Sequence, residues 1–139
     1  MQRREFITLL GSAAAWPFAA RAQQHRAGGG RRGARGEGTF RRCYSCHSVD
    51  PNETAELQGP NLYRIMGRPA AAIPGFAYSD AMRARGAAGL VWDAATLEHY
   101  IADPESVVAG TSMSAPPLRD AHERADLIAY LALSGRYRP

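Results

Sequence analysis

Cys43, Cys46 and the histidine directly after them, His47, constrain this chain more than any other feature. The run Cys43-Tyr44-Ser45-Cys46-His47 reads C-x-x-C-H, the attachment signature of a c-type haem. One turn of helix places two thiols on one face, where both can bond to the haem vinyl groups. The next residue then projects its imidazole at the iron as the proximal ligand. A chain that carries this motif has to close around a large apolar body. Two other chemistries use cysteine pairs. A thioredoxin-like pair sits near a βαβ pattern, and none is visible here. A structural zinc site takes four ligands, and these are the only two cysteines. A non-haem redox or metal protein built on Cys43 and Cys46 is the alternative left open by the motif alone.

At 139 residues the chain fits one small domain plus appendages, and 45% hydrophobic residues support a modest core. The positive net charge suggests nucleic acid until it is located. From Gly36 onward there are 10 arginines against 12 acidic residues, a net of −2. The other seven arginines lie in the first 35 residues beside a single Glu, so the basic balance belongs to the N-terminal appendage. All 17 cationic side chains are arginine.

Residues 1–22 have the form of a signal peptide. Arg3 and Arg4 supply a charged start, Phe6 to Ala20 is apolar and small, and Ala20-Arg21-Ala22 is an A-x-A cleavage site. The apolar run, about 15 residues broken by Pro17, is short for a membrane span. Export to a bacterial periplasm is the expectation, with an uncleaved anchor as the alternative. Arg3-Arg4-Glu5-Phe6-Ile7 resembles a twin-arginine signal, and an ordinary secretory start explains the pair equally. Residues 23–35, with three consecutive glycines and several arginines, read as a flexible linker. They are too short and too poor in aromatics for an RNA-binding segment. The folded domain is expected over 36–139.

Within it, Gly36, Phe40 and Cys43 have helical spacing and lead into the haem motif. Asp50-Pro51-Asn52-Glu53-Thr54 is a turn signal. Asp93 caps a helix with Leu97, Tyr100 and Ile101 on one face, ended by Asp103-Pro104. Asp120 with Glu123 resembles a capping box for a last helix through Leu127, Tyr130 and Leu131, stopped at Gly135.

Over about residues 36 to 135 the sequence resembles the class I cytochromes c, of the bacterial c2/c550 and mitochondrial type. The resemblance rests on C-x-x-C-H, on Gly59-Pro60-Asn61-Leu62, on Gly67-Arg68, on Phe76-Ala77-Tyr78-Ser79-Asp80-Ala81, on Trp92, and on Ala109-Gly110-Thr111-Ser112-Met113. It implies a small all-α class I cytochrome c fold whose N- and C-terminal helices cross, with Gly36, Phe40, Leu127 and Tyr130 at the contact. It implies one covalent haem c with its iron. Cys43 and Cys46 attach it, and His47 and Met113 are its axial ligands. The Pro60 carbonyl accepts a hydrogen bond from the proximal imidazole, and Arg68, Tyr78 and Trp92 serve the propionates. Tyr100 hydrogen-bonds the axial sulfur, and Thr111 lies in the ligand loop. Read without the family, Met66, Met82, His99 or His122 competes with Met113 for the sixth position. Tyr78, Trp92 and Arg68 then read as ordinary packing, and Tyr100 as a half-buried aromatic.

The sequence departs from the family at three places around the Met loop. Many members surround the exposed haem edge with lysines, whereas Asp103, Glu105 and Ser112 stand around the Met loop here; Ala115 replaces an aromatic, and Ala109 replaces a proline. With no lysine in the chain, the high-pH exchange of Met for Lys is barred. The expected function is a monomeric, periplasmic one-electron carrier that meets larger membrane or periplasmic redox proteins transiently, without a substrate of its own, a nucleic-acid partner or stable membrane insertion. A haem protein with an open sixth site, giving peroxidase or gas-binding activity, is the alternative.

Overall fold

Gly33, Gly36 and Phe40 fall at helical positions i, i+3 and i+7, and all three are buried in the computed structural model, which describes residues 30–135. They form the inner stripe of α1, residues 30–40. Glycine weakens a helix by about 1 kcal/mol relative to alanine. Here four glycines are offset by what the helix packs against, α5 (Ala121–Ser134). A Cβ at Gly36 would overlap the Asp126 carbonyl and the Tyr130 side chain, and one at Gly33 would overlap Leu133. α1 starts at residue 30, so the last six residues of the stretch read as linker are helical. Glycine-rich sequence looks like linker because its packing partner lies about 90 residues away. Residues 1–22, expected to be a signal peptide, and residues 23–29 lie outside the described residues.

Charges clasp the same helix pair. The Arg35 guanidinium donates from Nε to Asp126 Oδ2 at 2.6 Å and from its terminal nitrogen to Oδ1 at 3.2 Å. Arg42 faces Glu123 at 3.4 Å. Arg35 holds the Asp126 carboxyl below the usual carboxylate range. A depressed carboxylate stabilises the fold above its unfolded pKa, and the contribution disappears as pH falls through the folded one. Asp126→Asn should therefore be less stable than wild type at neutral pH. In urea titrations the gap should shrink as pH falls from about 4 through the depressed range.

After Phe40 a turn and a long loop lead to β1 (Arg68–Pro69), which pairs antiparallel with β2 (Val91–Trp92), Arg68 opposite Trp92. Between them lies α2 (Asp80–Ala87), capped by Ser79, whose hydroxyl accepts from Met82 N–H at 3.2 Å. This helix buries no residue, so its apolar periodicity is weak and the sequence did not announce it. α3 (Ala94–Ala102) starts at its expected cap, Asp93, which accepts from Thr96 N–H at 2.7 Å, and ends at Asp103. Asp103 also caps the short α4 (Pro104–Val107). α5 starts at Asp120, whose carboxylate accepts from His122 and Glu123 N–H. It closes at Gly135 with φ −91°, an ordinary right-handed residue and not a left-handed stop. Phe40, Ile65, Trp92, Leu97, Leu127 and Leu131 meet in the core, and Val108 is fully buried beneath α4. None of the helices among the described residues is long and apolar enough to cross a membrane.

Candidate functional site

The turn leaving α1 builds the cysteine pair. Cys43 N–H donates to Phe40 O at 2.7 Å, Cys46 N–H to Cys43 O at 3.0 Å and His47 N–H to Cys43 O at 2.8 Å. These bonds close one helical turn, as the spacing predicts. Cys43, Cys46 and His47 line a cavity of about 330 Å³, within the range of small-molecule sites. Phe40, Ile65, Leu97, Leu127 and Leu131 form its apolar wall. Burial pushes the Cys43 thiol up, and the neighbouring Arg42 pulls it back. Cys46 Sγ lies 3.6 Å from Gln58 Oε1.

Gly59 N–H donates to Cys46 O at 2.8 Å, which folds the following loop back over the histidine. His47 Nδ1 is then 2.7 Å from Pro60 O. A carbonyl only accepts, so the proton sits on Nδ1 and Nε2 keeps the free lone pair. Burial lowers the imidazole from its ordinary value, opposed by the Pro60 bond, and so favours the neutral ring. Gly59 makes room for it: a Cβ there would overlap three atoms of the ring. The resemblance assigns a role to Pro60 and none to Gly59, which is part of the same run. Its signal was its place next to the Pro whose carbonyl the ring must reach.

The paired strands bring together residues that lie far apart in sequence. Arg68, Tyr78 and Trp92 all line the cavity. Arg68 donates to Asn61 O at 2.8 Å and to Tyr63 O at 3.2 Å, and burial lowers its guanidinium against the opposing effect of Tyr78. Tyr78 Oη accepts from Ile73 N–H at 3.4 Å.

The last contributor is the loop after α4. Tyr100 Oη and Thr111 Oγ1 are 2.8 Å apart, and Thr111 Oγ1 accepts from Met113 N–H at 3.3 Å. The Tyr100 hydroxyl thus engages Thr111, where the resemblance implied the sulfur. Burial pushes the Tyr100 phenol up, the Thr111 bond opposes this and the Glu105 charge adds to it. Thr111 and Met113 line the cavity. Of the four competitors, Met82 on α2 lines it too. Met66 does not, and His99 and His122 are exposed and also absent from the wall. Gln58, Leu62, Phe76 and Ile101 also line the wall, and the sequence alone assigns none of them to the site.

The residues fit a covalent haem: two thiols one helical turn apart, a neutral imidazole with one free nitrogen, a thioether, and donors at Arg68, Tyr78 and Trp92, all on one largely apolar cavity. They fit zinc poorly, because among the described residues no three His, Cys, Asp or Glu side chains are gathered to hold a metal ion.

No protein-family model matches the chain. Individual proteins do. The chain is 40% identical over 126 residues to a cytochrome c2 of Rhodomicrobium vannielii, an alignment covering 91% of this chain and 92% of that one. It is 40% identical over 97 residues to a cytochrome c of Sesamum indicum, covering 69% and 84%. The solved structure of cytochrome c2 from Rhodospirillum centenum superposes with a TM-score of 0.67 at 34% identity, covering 72% of this chain and 95% of that one. For cytochrome cH from Methylobacterium extorquens the values are 0.61, 38%, 71% and 95%.

Proposed function

Because the chain belongs to the class I cytochromes c, electron carriers that hold covalent haem c with its iron, we propose that it is a periplasmic one-electron carrier with His47 and Met113 as axial ligands. The observation that carries this reading is the His47 imidazole. Its Nδ1 is tied to Pro60 O at 2.7 Å, and the ring sits on the cavity that Cys43, Cys46 and Met113 share. Such a bond fixes the tautomer and raises the basicity of the remaining nitrogen. Haem iron supplies a reversible one-electron change, which the protein tunes through ligands and dielectric.

Cys43 and Cys46 each contribute a thiol for a thioether. His47 presents Nε2, and Met113 presents a soft sulfur that favours the reduced state. Arg68, Tyr78 and Trp92 provide the cation and the O–H and N–H donors that buried carboxylates need. Tyr100 and Thr111 hold the loop that carries Met113. The export signal in residues 1–22 supports the periplasmic location. Redox partners are expected to dock transiently over less than about 1,200 Å².

Protein exported to a bacterial periplasm should have an intact mass one haem above the mature polypeptide. Its ferric form should be low-spin, with the weak red-edge band of thioether ligation. Met113→Ala should lose that band and Met82→Ala should keep it. An unmodified mass overturns the attachment, and a high-spin wild-type spectrum overturns the sixth ligand in favour of an open site.

A further inference from the structure

The loop that presents Met113 has few holds on its outer side. Ser112, Ser114, Ala115, Pro116 and Pro117 are exposed, and Gly110 has φ +79°, a conformation that glycine enters and leaves easily. Two consecutive residues nevertheless carry side-chain clamps. On the cavity side Tyr100 grips Thr111 at 2.8 Å. On the solvent side the Gly110 N–H donates to Glu105 Oε2 at 2.9 Å.

Glu105 is itself well placed to act as a clamp. It sits in α4, whose first turn is fixed by Asp103 at the cap, by Pro104 and by the bond from Val108 N–H to Pro104 O at 2.9 Å. The fully buried Val108 anchors that turn to the core. A hydrogen bond to a carboxylate is roughly twice as strong as one between neutral groups. We propose that Glu105 is a positioning residue for the ligand loop: its carboxylate holds the Gly110 amide and so restrains Met113 from the solvent side. This rests on the reading of Met113 as the sixth ligand. It also assigns a task to one of the acids around the Met loop, in a family whose members commonly carry lysines about the haem edge.

The test compares Glu105→Ala with Glu105→Gln, which keeps an acceptor oxygen, in the haem-loaded protein. Amide hydrogen exchange at Gly110 reads the clamp directly. The rate at which ferric protein captures cyanide reads how often the loop opens. Glu105→Ala should raise both rates about tenfold, the factor expected for one such bond, while Glu105→Gln, which keeps an acceptor but not the charge, should fall between Glu105→Ala and wild type. Glu105 is exposed, so both variants should fold, and thermal unfolding checks this. Unchanged rates in Glu105→Ala, or equally raised rates in Glu105→Gln, overturn the proposal. If wild type lacks the thioether band, the Met113 reading fails separately, and the Gly110 exchange then decides for or against the clamp by itself.

Discussion

Gly36→Val should cost about 3 kcal/mol of stability and lower the thermal midpoint by roughly 15 °C, with the spectrum of the folded fraction unchanged. The reason is the closeness of α1 to α5. A Cβ at residue 36 falls on the backbone carbonyl of Asp126, which cannot rotate aside as a side chain tip would. Accommodating it means moving one helix and breaking the seal formed by Phe40, Leu127 and Leu131. Gly36 is not part of the cavity wall, so the damage should appear in unfolding curves before it appears in ligation. Gly38 gives the matched control. Nothing lies within 4 Å of a Cβ there. Gly38→Ala should therefore stabilise the domain by about 0.5–1 kcal/mol. Equal effects at the two positions, read by calorimetry, would show that helix propensity outweighs packing in α1.

Gly59→Ala should strike the site and leave the fold standing. The added methyl overlaps Cε1, Nδ1 and Nε2 of the His47 ring, so the ring must swing and surrender its bond to Pro60. Loss of a bond that orients a metal ligand costs about 10–100-fold in affinity or activity. The expected result is covalently attached haem, because Cys43 and Cys46 are untouched, in a mixture of spin states visible by optical and electron paramagnetic resonance spectra. A spectrum that overlays wild type would falsify the packing argument for Gly59. Cys46→Ala serves as the contrast, because it removes one covalent attachment and leaves the imidazole contact alone.

Much of this was legible in the sequence because short-range chemistry announces itself. Asp93 and Asp120 cap the helices they were expected to cap, and the C-x-x-C-H spacing is one helical turn. The Pro60 carbonyl meets His47 as the resemblance implied. What was not legible depends on distant partners or on backbone groups. Residues 30–35 look like linker until Gly33 is seen against Leu133 and Arg35 against Asp126. α2 buries nothing and has no apolar stripe to read, although Ser79-Asp80 was a cap signal in plain view. The Tyr100 hydroxyl engages Thr111 because a residue type does not state its partner. Glu105 reads only as an acid near the Met loop until the Gly110 amide appears beside it.

The bond between Arg35 and Asp126 spans 91 residues of sequence, so the chain between them forms a single closed ring. Doubling the length of such a ring costs only about 0.6 kcal/mol of closure entropy. Its exposed stretch 50–56 is thus a place where relatives can gain or lose residues cheaply. The clasp has no such freedom, since a side chain at Gly36 meets the Asp126 carbonyl and strains the contact between α1 and α5. Variation in length and intolerance of change are therefore separated along this chain: the ring can grow where it faces solvent, while Gly36, which fastens it, is costly to exchange.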